Sequence, residues 1–203
     1  MFDYRYALTE SMRFYFDLHQ GKKNIIKKMV LPKLKGKVVF DFGCGNGHYT
    51  NWYAQHASEV TACDSSQFAI QIANSLYQKE NLYFFQGTAI READVTIFND
   101  SLELNENWKG ILSEVKSDTI FITCPNFDCH RLHILNYLSR GSKYKIKQKI
   151  LEIEKEGTIN YKAYYNRNFN NELQDNLHGN YEKVIFSLEG CGARNHCLYI
   201  IRR

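Results

Sequence analysis

The sequence is poor in residues that interrupt or cross-link a chain. Two prolines in 203 residues leave no proline-rich linker, and no low-complexity tract or internal repeat divides the chain. The length therefore reads as a single domain spanning 1–203. No stretch approaches the roughly 18 consecutive apolar residues of a membrane-spanning helix. The opening MFDYRYALTESMRFYF mixes charges into its aromatics where a signal peptide would carry an unbroken apolar run. The expectation is a cytoplasmic protein with no membrane partner. Six cysteines include no CxxC pair, so they read as reduced thiols packed as small hydrophobes. Cys191, His196 and Cys197 lie in a turn-like segment without a second ligand pair at zinc-site spacing, and no metal is expected. An excess of one charge is also missing. The net charge of +4 and sequence pI of 8.6 fall short of a dedicated nucleic-acid binder.

Aromatics are what the chain has in plenty, with 14 Tyr and 13 Phe. They gather in the first sixteen residues and in YKAYYNRNF (161–169), where they could cover a pocket. Leu8, Met12, Tyr15 and Phe16 recur at spacings of three and four, which predicts a helix, and KKNIIKKMVLPKL predicts a second short helix stopped by Pro32. Residues 1–35 are thus a helical cap. VVFDF (38–42) reads as a strand buried on both faces and EVTACD (59–64) as a second short buried strand, and NLYFFQG (81–87), ADVTIFND (93–100) and SDTIFITCPN (117–126) supply three more strands. Helices alternate with them, one with an apolar stripe of Ala69, Ile72, Ala73 and Leu76 capped by Ser65 or Ser66, another over 108–115. Such alternation implies an α/β fold with a doubly wound, mostly parallel sheet. YEKVIFSLEG and NHCLYIIRR add two strands around a turn, an antiparallel C-terminal hairpin that brings the sheet to seven strands. Residues 37–126 form one half and 127–203 the other, with 139–175 as an insertion whose lysine-rich start fits a strand or a helical face.

The most informative segment is Asp41-Phe42-Gly43-Cys44-Gly45-Asn46-Gly47. Alternate glycines let the backbone turn sharply and approach a ligand closely. The spacing G-x-G-x-G differs from the G-x-G-x-x-G of a dinucleotide site, and the preceding acid would repel a pyrophosphate but attract an ammonium group. Asp64 ends the next strand, where a carboxylate can accept both hydroxyls of a ribose. Together the two acids describe a nucleoside that carries an amino acid and lacks phosphate.

With these residues in place, the sequence resembles the class I S-adenosylmethionine-dependent methyltransferases over nearly its whole length. DFGCGNG is similar to their glycine motif, Asp64 to their ribose-binding acid, and Phe85-Gln86-Gly87-Thr88-Ala89 to the loop that frames adenine. FNDSLEL (98–104) is similar to the segment after strand four, with Leu104 where a histidine is common. ITCPNFDCHRLHILNYLSRG and YYNRNFNNELQDNL are similar to the fifth-strand and return segments of the small-molecule and quinone-type branch. The resemblance implies S-adenosyl-L-methionine as cofactor, with Asp41, Gly43, Cys44, Gly45, Asp64, Ser65, Thr88, Ala89, Asn99 and Asp100 around it.

Methyl transfer from a sulfonium is an in-line displacement that needs no protein nucleophile, so positioning supplies much of the rate. A hydroxyl acceptor benefits from a general base, and His130 and His133, just past strand five, are the catalytic candidates. Tyr6, Tyr15, His19 and Tyr165 are candidates for a substrate lid. Strand four ends in Asn99-Asp100-Ser101 and lacks the Pro-Pro-aromatic arrangement of base-modifying enzymes, so nucleic acid is not the favoured partner. The expected reaction methylates an oxygen or nitrogen of a small metabolite, in a monomer or homodimer. RNA or protein methylation, and a non-catalytic cofactor-binding scaffold, stay open as alternatives.

Overall fold

The computed structural model describes residues 20–126, 169–186 and 196–203. Its seven strands are β1 (Val38–Phe42), β2 (Glu59–Asp64), β3 (Leu82–Gln86), β4 (Val95–Asn99), β5 (Thr119–Pro125), β6 (Glu182–Phe186) and β7 (His196–Arg202), and they form one sheet in the order β3-β2-β1-β4-β5-β7-β6. The first five are parallel. β7 runs antiparallel between β5 and β6, so the expected C-terminal hairpin is present and its second strand takes the inner place. The turn between them lies outside the described residues.

Both faces of the central parallel strands β1, β4 and β5 are covered, which is why their sequences are largely apolar runs, while the edge strand β3 leaves Tyr83 exposed. Successive residues alternate between two core clusters. Phe40, Phe42, Phe98, Ile120 and Ile122 enter one cluster with Trp108, Phe169 and Leu173. Val39, Val60, Ile97, Phe121 and Leu198 enter the other with Ile26, Leu34 and Tyr53. The covering helices are α1 (Gln20–Ile25), α2 (His48–Tyr53), α3 (Gln67–Leu76), α4 (Trp108–Glu114) and α5 (Phe169–Leu177). Among the described residues no helix is long and apolar enough to cross a membrane.

Two local expectations are corrected. The described lead-in helix, Gln20–Ile25, passes through a π-helical stretch, Ile26–Val30, into a 3-10 turn, Leu31–Lys33. Pro32 sits inside that last turn, because a proline near a helical start gives up an N–H that has no partner there anyway. On α3 the buried stripe is Ala69, Ile70 and Ala73, while Leu76 is exposed. The buried face continues from Ala73 to Tyr77, just past the helix end, and Leu76 lies off it. Ser66, not Ser65, caps α3, its hydroxyl accepting the Ala69 N–H at 3.2 Å.

Candidate functional site

The glycine loop leaves the carboxyl end of β1 and enters α2. Gly43 has φ of +75° and Gly47 of +77°, a backbone region that costs an L-residue about 1–2 kcal/mol. Space reinforces that demand. A Cβ on Gly43 would lie 2.4 Å from Cβ of Ser101, and one on Gly47 would lie 2.8 Å from the Phe84 ring. The N–H groups of Gly43 and Cys44 both bond to the Cys63 carbonyl at 2.8 and 2.9 Å. The loop is thereby tied to the end of β2 and folds back across the carboxyl edge of the sheet.

Asp64 stands on that edge. Its Oδ2 accepts the Gly45 N–H and its Oδ1 the Ser66 N–H, each at 2.9 Å. One carboxylate thus orients both the glycine loop and the start of α3. Asp41 is buried under the loop, and Oδ2 accepts the Thr50 hydroxyl at 2.6 Å while Oδ1 is buried with no hydrogen-bond partner. Burial pushes the Asp41 carboxyl up to about 7, helped by the nearby charge of Asp64 and opposed by the Thr50 bond and by Lys22. Cys44 and Cys63 are free thiols pushed up mainly by burial, Cys63 to about 12. They are small packing residues rather than nucleophiles. Ser65, Thr88 and Ala89 are exposed. The Ser65 carbonyl accepts from the Gln86 side chain at 3.3 Å, which ties the end of β3 to the end of β2. Thr88 and Ala89 follow directly, beside Asp64, whose carbonyl accepts the Gly87 N–H at 2.9 Å.

A second cluster lies at the ends of β4, β5 and β7. Asp100 has φ of +54°, a strained backbone for a non-glycine residue of the kind that gathers at functional sites. Lys22 of α1, with only 3% of its surface exposed, brings Nζ to 2.5 Å from Asp100 Oδ2. The Thr123 hydroxyl lies 2.8 Å from both Asp100 Oδ1 and Asn99 Oδ1, and His196 Nε2 lies 3.6 Å from Asp100 Oδ2. Burial alone would raise Asp100, but Lys22 and His196 outweigh it and hold the carboxyl well below the usual carboxylate range. Glu103 is buried with Oε2 unpartnered. Burial, and then the charge of Asp100, push it well above the ordinary value.

The structure therefore gathers Asp41, Gly43, Cys44, Gly45 and Asp64 around one loop, sets Ser65, Thr88 and Ala89 beside it, and places Asn99 and Asp100 in the adjoining cluster. His130, His133, Tyr6, Tyr15, His19 and Tyr165 lie outside the described residues, as do residues 139–168 of the expected insertion. Four members of the second cluster, Lys22, Glu103, Thr123 and His196, have no counterpart among the sequence candidates for this site. Lys22 is one lysine in a run of them, and Glu103 sits unmarked in FNDSLEL. His196 drew notice only as a metal ligand beside Cys197, yet among the described residues no group of three or more His, Cys, Asp or Glu could hold a metal ion.

Residues 39–116 match the family described as a methyltransferase domain. No curated protein matches the chain. Among solved structures, the Haloferax volcanii complex between the Trm112 methyltransferase activator and a candidate methyltransferase aligns at 12% identity. It covers 93% of this chain and 90% of that one, with a TM-score of 0.62. The magnesium protoporphyrin IX methyltransferase of Synechocystis with bound SAH aligns at 16% identity over 92% and 85% of the two chains, with a TM-score of 0.57. A Listeria monocytogenes S-adenosylmethionine-dependent methyltransferase aligns at 22% identity with a TM-score of 0.47, over 53% of this chain and only 55% of its own. At these identities the first two alignments show a shared fold alone, in this chain a seven-stranded, mostly parallel sheet with one antiparallel strand near its edge.

Proposed function

We propose, from the premise that this chain belongs to the class I S-adenosylmethionine-dependent methyltransferases, that it methylates an oxygen or nitrogen of a small metabolite. The cofactor residues present fit the donor. An amino-acid nucleoside needs a carboxylate for its ribose, a counter-charge for its ammonium and a backbone that lets it approach. Asp64 brings a carboxylate to the end of β2, held in place by the Gly45 and Ser66 N–H groups. Asp41 offers a buried oxygen with no partner, which is what an ammonium group would satisfy. Gly43 and Gly45 keep side chains out of the approach. Asn99, Ser65, Thr88 and Ala89 complete the surround, with Thr88 and Ala89 bordering the base. When bound, S-adenosylmethionine supplies a methyl group on a positive sulfur, already activated toward displacement.

The observation that carries the choice of a small acceptor is the sign of charge on the carboxyl edge. Asp41, Asp64 and Asp100 face it; of the cations described nearby, Lys22 is already held by Asp100 and Arg91 lies over the Phe85 ring. A phosphate backbone would meet repulsion there, since nucleic-acid affinity comes chiefly from lysine and arginine placed against phosphates. A compact acceptor without phosphate meets no such barrier. Residues 37–126 then form the cofactor half, and the segments at 1–35 and 127–203 choose the acceptor. The test is transfer of labelled methyl from S-adenosylmethionine into fractions of a cell extract. Label entering the low-molecular-mass pool supports the proposal, and label confined to RNA or protein overturns it.

Asp41 gives this reading a pH signature. Its folded-state value near 7 lies above the ordinary carboxylate value of 3.8, so the folded protein holds a proton there that the unfolded chain releases. That proton's contribution to stability is complete below about pH 4 and lost as pH rises through about 7. Binding an ammonium group needs the ionised form, so affinity moves the other way. Calorimetry with S-adenosylhomocysteine should show binding tightening about tenfold from pH 5.5 to 7, where the ligand's own α-amino group still holds its proton. Asp41→Asn should bind weakly with little pH dependence over that range. A wild-type affinity independent of pH would remove Asp41 from the ammonium site.

A further inference from the structure

Resting on the methyltransferase reading above, we infer that His196 is the catalytic proton acceptor, that Asp100 is its positioning residue, and that the methyl acceptor is a hydroxyl compound. His196 opens β7 opposite Pro125, the last residue of β5, and Phe186, the last of β6. It therefore stands on the same carboxyl edge as Asp64 and Asp100. The imidazole is buried against the Phe186 ring, with centroids 5.7 Å apart. Nε2 is 3.6 Å from Asp100 Oδ2, and Nδ1 is buried with no hydrogen-bond partner.

A neutral imidazole carries one N–H and one bare nitrogen, and the partner of one nitrogen decides the other. Asp100 draws the proton to Nε2 and leaves the lone pair on Nδ1. A buried acceptor without a donor costs about 1–3 kcal/mol, which a histidine serving structure alone would avoid by bonding to a main-chain group. An acceptor hydroxyl supplies the missing donor. The 3.6 Å separation is long for a hydrogen bond, as catalytic contacts often are before substrate tightens them.

Asp100 is built for the positioning role. Lys22 takes Oδ2, the Thr123 hydroxyl takes Oδ1, and the Asp100 N–H bonds to the Thr123 carbonyl and hydroxyl, each at 3.1 Å. It stays ionised beside the imidazole, so it stabilises the imidazolium without taking the proton itself. Glu103, buried nearby, carries no competing negative charge while it holds its own proton.

The chemistry selects the acceptor. A neutral amine attacks with its own lone pair and sheds its proton afterwards, and a carboxylate has none to shed. A hydroxyl is a weak nucleophile until its proton leaves, so a base earns its place only there. As the O–H proton passes to Nδ1, the oxygen lone pair forms the new O–C bond. The C–S bond breaks with its electron pair left on sulfur, which becomes a neutral thioether while the imidazole becomes cationic. Water takes the proton from Nδ1 after the product leaves.

The experiment uses the full chain, wild type and the His196→Gln and Asp100→Asn variants. Nitrogen-15 NMR of the histidine rings, with His196 assigned by its loss in His196→Gln, should show a protonated Nε2 and a bare Nδ1 in the wild type. Asp100→Asn should mix the two tautomers. Calorimetry with S-adenosylhomocysteine should give His196→Gln an affinity within about twofold of wild type. Transfer of labelled methyl into the low-molecular-mass pool should fall about 100-fold or more in His196→Gln, and the labelled product should be an O-methyl compound. A protonated Nδ1 overturns the proposal whether or not the extract contains the acceptor. So does undiminished transfer by His196→Gln, or an N-methyl product. Failure of the wild type to bind S-adenosylhomocysteine would instead overturn the methyltransferase reading on which the proposal rests.

Discussion

Asp64→Ala weakens S-adenosylmethionine binding by about 100-fold or more. A carboxylate that accepts two ribose hydroxyls makes two charge-assisted bonds, each worth about 1.5–3 kcal/mol, and 1.4 kcal/mol is a factor of ten in affinity. The same substitution also frees the Gly45 and Ser66 N–H groups, which now share the carboxylate. The loop loses the bond that holds it across the edge, and the ligand must reorder it. Asp64→Asn separates the two effects. It keeps one acceptor oxygen of the same reach and removes the charge, so its affinity should fall between the other two. Calorimetry on the three proteins, with thermal unfolding alongside, checks the ordering. An Asp64→Ala variant that binds as tightly as wild type would show that the acid serves only the loop.

Gly43→Ala has the largest expected effect on stability. The added methyl must adopt φ near +75°, costing about 1–2 kcal/mol, and it meets Ser101 Cβ at 2.4 Å. Ser101 cannot yield, because its hydroxyl donates to the Phe42 carbonyl at 2.6 Å and its own Cβ sits on backbone at the end of β4. Overpacking a tight contact of this kind costs a further 1–3 kcal/mol or so. Urea unfolding should therefore show a loss of about 2–5 kcal/mol. Gly36→Ala is the control. Gly36 has φ of +69° but nothing within 4 Å of its would-be Cβ, so only the backbone penalty applies. Adding Ser101→Gly to Gly43→Ala should recover the packing part. Equal losses at the two glycines would mean that backbone conformation, and not the contact with Ser101, sets the requirement.

These two residues belong to the half of the site that was legible in the sequence, and the reason is geometric. Asp41, Gly43, Gly45 and Asp64 sit at the ends of adjacent strands, so a few residues of local pattern place each on the same edge. β1 and β2 were legible for a related reason, since both faces of a central strand are buried and the apolar run is unbroken. α3 was harder. A helix read by period alone gives Leu76 to the core, whereas the buried face runs through Ile70 and leaves Leu76 exposed. Of the second cluster, only Asn99 and Asp100 were legible. Lys22 is buried because of Asp100, 78 residues further along the chain, and a lysine among lysines carries no mark of that partner. His196 is set by its register opposite Pro125, which no local pattern around it announces. Pairing across long separations decides such residues, and composition is silent about it.

The place of β7 also fixes an order of events in folding. Because β7 lies between β5 and β6, the outer edge of β5 presents unpaired N–H and C=O groups until residues 196–202 arrive, and β6 has no neighbour in the sheet before then. Bare edges invite pairing with another chain, and late, long-range pairing is slow. Synthesis that has passed Pro125 but not reached His196 therefore yields a chain with the cofactor loop complete and a sticky β5. When β7 docks, it closes that edge and brings His196 to Asp100 in the same motion. The chain gains protection from aggregation and the side chain proposed as base together, so the interval most exposed to misassembly is also one in which the base proposed for methyl transfer is absent.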